Sequence, residues 1–448
     1  MRGSSGSRIV VLTLCGFLVV LLLLCINQFV LQGLIMPIRV IGGSMAERFY
    51  GPHYAVCCND CRFTFAIDAT TIPKPRFVDC PNCGSHQPHN PLQPVVAGDR
   101  LLIDCMSFQL RDPDRWETIL FQSIDPALDH CLKRVVGLPD ETLAVASGDI
   151  WVNGKRLKKD FATADAMAIT VHDARFAAQH AGIAQRWRPK HQASQWQRMP
   201  QSTCGFKHVP RPPSEDQTAL VDWIVYDHVD LHRGQYRVVD RVTDNYAYNQ
   251  TLSRKLYKTD DLLLAAKIQW HGKGRLFFEL GSLRLELDCG QATGKLREAG
   301  QGLAEFFWPA RQAGSVIRVE VASVDQQFFF VINKEVIFSC DLEVARIDRA
   351  VHAADEALGD NHTRSDRLLA IGAQSLHATI EHPLVRRDVY YTPEVRGIVN
   401  RRTGEYHLAA DEFFVLGDNS PISLDSRQNT DAAIVRRGEL LGRVWRWR

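Results

Sequence analysis

Three short stretches of the chain carry side chains suited to acyl transfer. In Ile-Gly-Gly-Ser-Met, residues 41–45, two glycines let a substrate backbone come close to Ser44. A serine is a poor nucleophile at neutral pH until a base lies within hydrogen-bond reach. The sequence motivates no His–Asp pairing, but it offers a lysine. Lys133 opens the apolar run of residues 131–141, flanked by Leu132, Val135 and Val136. An amine facing such surroundings is desolvated, its pKa falls, and the neutral form can take the Ser44 proton. The third stretch, 411–427, runs from an apolar strand (413–416) through Gly-Asp-Asn into a loop bearing Ser420, Ser423, Asp425, Ser426 and Arg427. That composition suits the wall of a site, with Asp425 and Arg427 expected as a structural ion pair holding the loop.

At these three places, and in this order, the chain resembles the type I signal peptidases, Ser/Lys membrane proteases that remove leader peptides from exported proteins. GDRLLID at 98–104 and GDIWVNGK at 148–155 resemble the family's strand and hairpin on either side of the lysine. The resemblance implies Ser44 as nucleophile, Lys133 as general base, and Ser423 as the serine that hydrogen-bonds the lysine and orients it. It implies no catalytic cofactor and signal peptides of exported preproteins as partners. Three positions depart from the family pattern. The oxyanion-hole serine two before the nucleophile is Gly42, the proline two after the serine-methionine pair is Glu47, and the Gly-Asp after the lysine strand is Asp140-Glu141. The oxyanion hole is then left to backbone N–H groups, chiefly that of Ser44, and a turn that favours glycine has lost it.

Between the nucleophile and residue 95 the chain carries Cys-Asn-Asp-Cys at 58–61, eighteen residues, then Cys-Pro-Asn-Cys at 80–83. Two such knuckles fit a tetrahedral structural zinc site made by Cys58, Cys61, Cys80 and Cys83. A pair of disulfides is the competing reading in an oxidising compartment. Cys57 is a spare or a substitute for Cys58, and His86 and His89 stand close enough in sequence to serve as alternative ligands.

The elements that must place these groups follow from composition and patterning. With 448 residues the chain has room for several cores, and a net charge of +2 with no basic block gives no nucleic-acid footprint. Residues 9–36 lack charge over more than the roughly 20 residues a helix needs to cross a bilayer, so they read as one transmembrane helix touching lipid. Arg2 and Arg8 favour a cytoplasmic head at 1–8. The remainder is then expected outside the cytoplasm at the cell membrane.

The whole reads as mainly β: a signal-peptidase-like core split by two insertions. Its parts are 37–48, 95–160 and 391–448. The insertions are a zinc ribbon at 49–94 and an antiparallel, jelly-roll-like β-sandwich at 220–390, preceded by a connector at 161–219. Alternation in 282–289, which puts Leu283, Leu285 and Leu287 on one face, and a hairpin turning at Asn333-Lys334 carry the sandwich reading. This segment resembles concanavalin-like jelly rolls, implying a glycan or protein ligand. Val444, Trp445 and Trp447 fit either core packing or a membrane interface. Two rival readings stand beside the peptidase: an inactive membrane receptor on a protease scaffold, and a self-cleaving Ser/Lys switch.

Overall fold

The computed structural model describes residues 4–26, 32–123, 129–200, 204–210, 220–232, 235–309, 314–346, 368–392, 394–395, 398–399, 404–428 and 434–447. It is mainly β. A seven-stranded antiparallel sheet carries the chemistry-bearing stretches. Its order is Ile35–Arg39, Arg100–Asp104, Leu440–Trp447, Thr118–Gln122, His130–Gly137, Glu412–Leu416 and Val435–Arg436. Strands from the beginning, middle and end of the sequence therefore lie side by side.

The register explains how distant stretches meet. Lys133 pairs with Ile119, while Arg134 and Val135 pair with Leu416 and Val415, so the loop after Leu416 leaves the sheet beside the lysine. From the other end of the sheet, the segment after Arg39 folds across a sheet face. Met45 and Phe49 are buried there with Leu101, Ile103 and Leu120. Full burial of each side chain contributes about 1.5–3 kcal/mol, which pins the nucleophile loop from below.

Several expected features appear where the pattern placed them. Asp149–Val152 and Lys155–Arg156 form a hairpin through Asn153 and Gly154, both in the left-handed region. Leu283, Leu285 and Leu287 are buried along Leu283–Asp288. Gln327–Ile332 and Glu335–Asp341 turn through Asn333 (φ 49°) and Lys334 (φ 71°).

These last strands belong to two antiparallel sheets, of eight and seven strands, whose facing side chains share one large apolar core. The stretch expected as a connector is part of it. Ile169–Asp173 and Gly205–His208 pair with His377–Arg387, Trp187–Pro189 pairs with Asp222–Tyr226, and Trp187 and Trp196 are core residues. Residues 201–203 and 211–219 of that stretch lie outside the described residues.

The expected transmembrane helix at 9–36 is corrected. Helix Ser4–Cys25 is followed by the short helix Gln32–Leu34, and Ile35 and Met36 already belong to a strand. Among the described residues no helix is long and apolar enough to cross a membrane. Residues 27–31 of the expected span lie outside the described residues.

Candidate active site

Lys133 and Ser44, 89 positions apart, meet. The Lys133 Nζ lies 2.6 Å from the Ser44 Oγ. Lys133 is 5% exposed, and burial is the largest influence on its amine, pulling the pKa below the ordinary lysine value of 10.5. Cys131, Asp425 and Asp418 oppose that pull and Arg427 adds to it. The net direction is towards a neutral amine.

The loop after Leu416 grips the backbone of the nucleophile. Asn419 N–H donates to the Ser44 carbonyl at 3.0 Å, and its side-chain Nδ2 donates to the Gly43 carbonyl at 3.0 Å. Gly417 fits because it lacks a side chain. A Cβ there would lie 2.5 Å from the Ser44 carbonyl oxygen and 2.2 Å from the Ser423 Oγ. Among the described residues the Ser44 N–H donates to no acceptor, which leaves it free to meet a developing oxyanion. A Cβ at Gly42 would meet nothing within 4 Å.

Ser423 departs from expectation. Its Oγ is buried and has no hydrogen-bond partner, so the expected bond from Ser423 to Lys133 is not formed. Asp425 and Arg427 do pair, at 2.8 Å through both Nε and Nη2. Arg427 also donates to the Thr392 carbonyl and the Ser420 hydroxyl, each at 2.7 Å. A buried arginine with its donors used in this way is a brace for the loop, since a lone buried charge would be costly.

Two further sets of residues hold the site, and sequence reasoning missed both. Arg134 forms a bidentate buried ion pair with Asp418, at 2.8 and 2.5 Å, tying the lysine strand to the loop. Its only sequence signal was a basic residue beside Lys133 and an acidic one beside Gly417, ordinary features by themselves. The second set comes from the insertion. Tyr248 packs on Gly43, and Asn249 exchanges amide hydrogen bonds with Asn419 at 2.6 and 3.0 Å.

The four expected cysteines converge. Cys58 Sγ lies 3.6 Å from Cys83 Sγ, Cys61 Sγ lies 3.6 Å from Cys80 Sγ, and all four sulfurs are within 4.8 Å of one another and buried. A disulfide needs about 2.05 Å, whereas the edge of a tetrahedron around zinc with bonds near 2.3 Å is roughly 3.8 Å. The donor set therefore could hold a zinc ion. Arg62 (φ 66°) and Gly84 (φ 91°) end the two knuckles in the left-handed conformation that turns each pair of thiols inward. Cys57 is exposed and outside the group, and His86 is bonded to Asp79 instead. His89 is also outside it.

Comparison with known proteins agrees with part of this picture. Residues 85–211, which include Lys133 and its strand, match the family described as "Signal peptidase, peptidase S26". Ser44 and 411–427 lie beyond that match. A probable signal peptidase I-2 of Synechocystis sp. is 35% identical over 83 residues, covering 17% of this chain and 38% of that protein. Signal peptidase I of Leptolyngbya laminosa is 31% identical over 77 residues, covering 16% of this chain and 38% of that protein. Among solved structures, the carbohydrate binding module CBM66 from Bacillus subtilis is 7% identical with a TM-score of 0.26, over 45% of this chain and 94% of that one. A TM-score this low carries no structural argument. Over residues 85–211, and through two relatives of whose length the chain spans 38%, this protein is similar to the type I signal peptidases of the S26 peptidase family.

Proposed function

We propose that the chain is a membrane-associated serine endopeptidase that removes signal peptides from exported preproteins. Ser44 is the nucleophile and Lys133 the general base. The observation that carries this reading is the 2.6 Å contact between a buried lysine amine and a serine hydroxyl. Burial pulls the amine towards the neutral form that a base requires, and a lysine with a lowered pKa can activate a serine without histidine.

In the first step neutral Lys133 takes the Ser44 proton as Oγ attacks the scissile carbonyl. The Ser44 N–H stabilises the oxyanion. Collapse of the tetrahedral species breaks the C–N bond, and the Lys133 ammonium returns its proton to the departing amine. Lys133, neutral again, then deprotonates a water that attacks the Ser44 ester, releasing the leader as a free acid and restoring the serine. Ser423, whose buried hydroxyl has no other partner, is the group available to orient the ammonium while it carries the proton. Asp425 and Arg427 hold the loop and take no part in proton transfer.

Cys58, Cys61, Cys80 and Cys83 hold a structural zinc ion in this reading, with no open position for chemistry. The membrane contact is assigned to the N-terminal segment. Leu12, Phe17, Leu21 and Leu24, 71, 65, 47 and 59% exposed, need an apolar surrounding. The amino end is assigned to the cytoplasm and the catalytic sheet to the outer side.

Cleavage of a purified preprotein in detergent micelles tests the assignment, with Ser44→Ala and Lys133→Ala as controls. The wild type should release the leader, and each control should lose activity by several orders of magnitude. Equal behaviour of the three proteins would remove the peptidase reading in favour of a receptor. Scission of the chain itself with preproteins left intact would favour the self-cleaving switch.

A further inference from the structure

Five consecutive residues, 246–250, lie in a stretch without likeness to the signal-peptidase pattern, yet each reaches the site or the ribbon. Tyr246 Oη donates to the Asp418 carbonyl at 2.8 Å, and Ala247 N–H donates to Glu47 Oε1 at 3.2 Å. Tyr248 is fully buried and packs so closely on Gly43 that a Cβ there would lie 2.3 Å from its ring. The Asn249 amide is paired with that of Asn419, whose remaining donors fix the carbonyls of Gly43 and Ser44. Gln250 faces the other way. Its Oε1 accepts from Asp79 N–H at 2.8 Å and its Nε2 donates to the Asp79 carbonyl at 2.7 Å. Asp79 immediately precedes Cys80, one of the four clustered thiols.

These bonds form a continuous path from the cysteine centre to the nucleophile. The Ser44 carbonyl is held by Asn419, the Asn419 amide is oriented by Asn249, and the segment bearing Asn249 is clamped to the ribbon by Gln250. Tyr248 closes the same path by packing, since it shares an apolar cluster with Ala46 of the nucleophile loop and Ala66 of the ribbon. We propose that residues 246–250 are positioning residues for Ser44 that tie its place to the four-cysteine centre, so that metal bound at that centre controls the peptidase. The control of cleavage rests on the Ser44/Lys133 reading, while the mechanical coupling does not.

The mechanism of control is displacement. When the ribbon loses its metal the Cys80 knuckle is no longer anchored, and the backbone at Asp79 ceases to be a fixed point for Gln250. The Asn249–Asn419 pair then loses its far support and the Gly43–Ser44 carbonyls move with it. A misplacement of about 1 Å at a nucleophile costs on the order of 10²-fold in rate. The loss falls on kcat, because no residue of the path is assigned a contact with the substrate.

Hydrogen–deuterium exchange of the full-length chain in micelles, loaded with one equivalent of zinc, tests the coupling. Chelation should speed exchange in residues 43–49 at least tenfold, and added zinc should reverse it. Gln250→Ala, loaded with zinc, should show fast exchange in 43–49 while the ribbon stays protected and zinc stays bound. If that variant instead loses zinc, Asn249→Ala decides, because the Asn249 side chain bonds to Asn419 and not to the ribbon, and should speed 43–49 with zinc retained. In the cleavage assay Asn249→Ala should lower kcat roughly 10²-fold with KM little changed, and Asn249→Gln should recover part of it. Exchange in 43–49 that ignores chelation, or that ignores Asn249→Ala, would overturn the coupling. A wild type that cleaves nothing would sink the peptidase reading and leave the exchange result standing.

Discussion

Substitution of Gly417 by alanine adds one methyl group at the point where the loop after Leu416 crosses the nucleophile. The new Cβ would sit 2.5 Å from the Ser44 carbonyl oxygen, where ordinary contact begins at 3.4 Å. It would also sit 2.2 Å from the Ser423 Oγ and 2.6 Å from the Ser423 Cβ, and since only the hydroxyl can turn away the crossing is overpacked on both sides. The Ser44 backbone must therefore retreat by about 0.9 Å, the difference between the two distances. The shift carries the Oγ away from an amine now 2.6 Å distant, and a hydrogen bond weakens steeply over that range. A misplacement of this size costs about 10²-fold in kcat. Overpacking of a tight site costs about 1–3 kcal/mol of stability. Initial rates of preprotein cleavage across substrate concentration, with a thermal melt of the same sample, give both quantities. If Gly417→Ala kept kcat within about threefold of wild type while melting normally, the loop would not set the Ser44 position and the reasoning would fail.

Other expected outcomes follow from single residues. Activity requires neutral Lys133, so kcat/KM should rise with pH through a midpoint below 10.5, because burial lowers that pKa, and Lys133→Arg should abolish the rise together with the activity. The same shift acts on stability. Since the folded-state pKa lies below the unfolded value of 10.5, the unfolded chain binds more protons between the two, so stability increases with pH across that window and Lys133→Met should flatten it in urea melts. Gly42→Ser should raise kcat at least tenfold by adding an oxyanion donor in open space; no gain would mean that the hole lies elsewhere. Asp140 holds a left-handed conformation at φ 63°, so Asp140→Gly should stabilise the chain by about 0.5–1 kcal/mol, and a loss in chemical denaturation would contradict this. Metal analysis of the purified chain should find one zinc per molecule, lost when Cys58 and Cys83 are both replaced by serine.

The parts legible in the sequence were those whose signal is local. Alternation marked Leu283–Asp288, Asn153-Gly154 marked a hairpin, and the knuckle spacing marked four thiols that the fold draws together. Ser44 and Lys133 each sit in a short stretch whose composition is unusual for a surface, a serine among glycines and a lysine among valines. The residues that hold those two in place were not legible, because their partners lie at large separations. Arg134 meets Asp418 across 284 positions and Asn249 meets Asn419 across 170, and neither carries a pattern before the fold pairs them. The stretch 161–219 misled for another reason. Its strands Trp187–Pro189 and Trp196–Arg198 span three residues each, too few to show a period, and their buried tryptophans look like isolated aromatics in a polar linker. The N-terminal segment shows the limit of composition, for it is uncharged past Met36 while the helix ends at Cys25.

The central claim concerns one oxygen atom. Acid quenching of the full-length protein during turnover of a preprotein, followed by proteolysis and mass spectrometry, should find the leader peptide joined as an ester to the fragment that contains Ser44. Ser44→Ala and Lys133→Ala should yield no such fragment. Leader release by the wild type with the ester on another residue, or with equal yield from Lys133→Ala, would contradict the account.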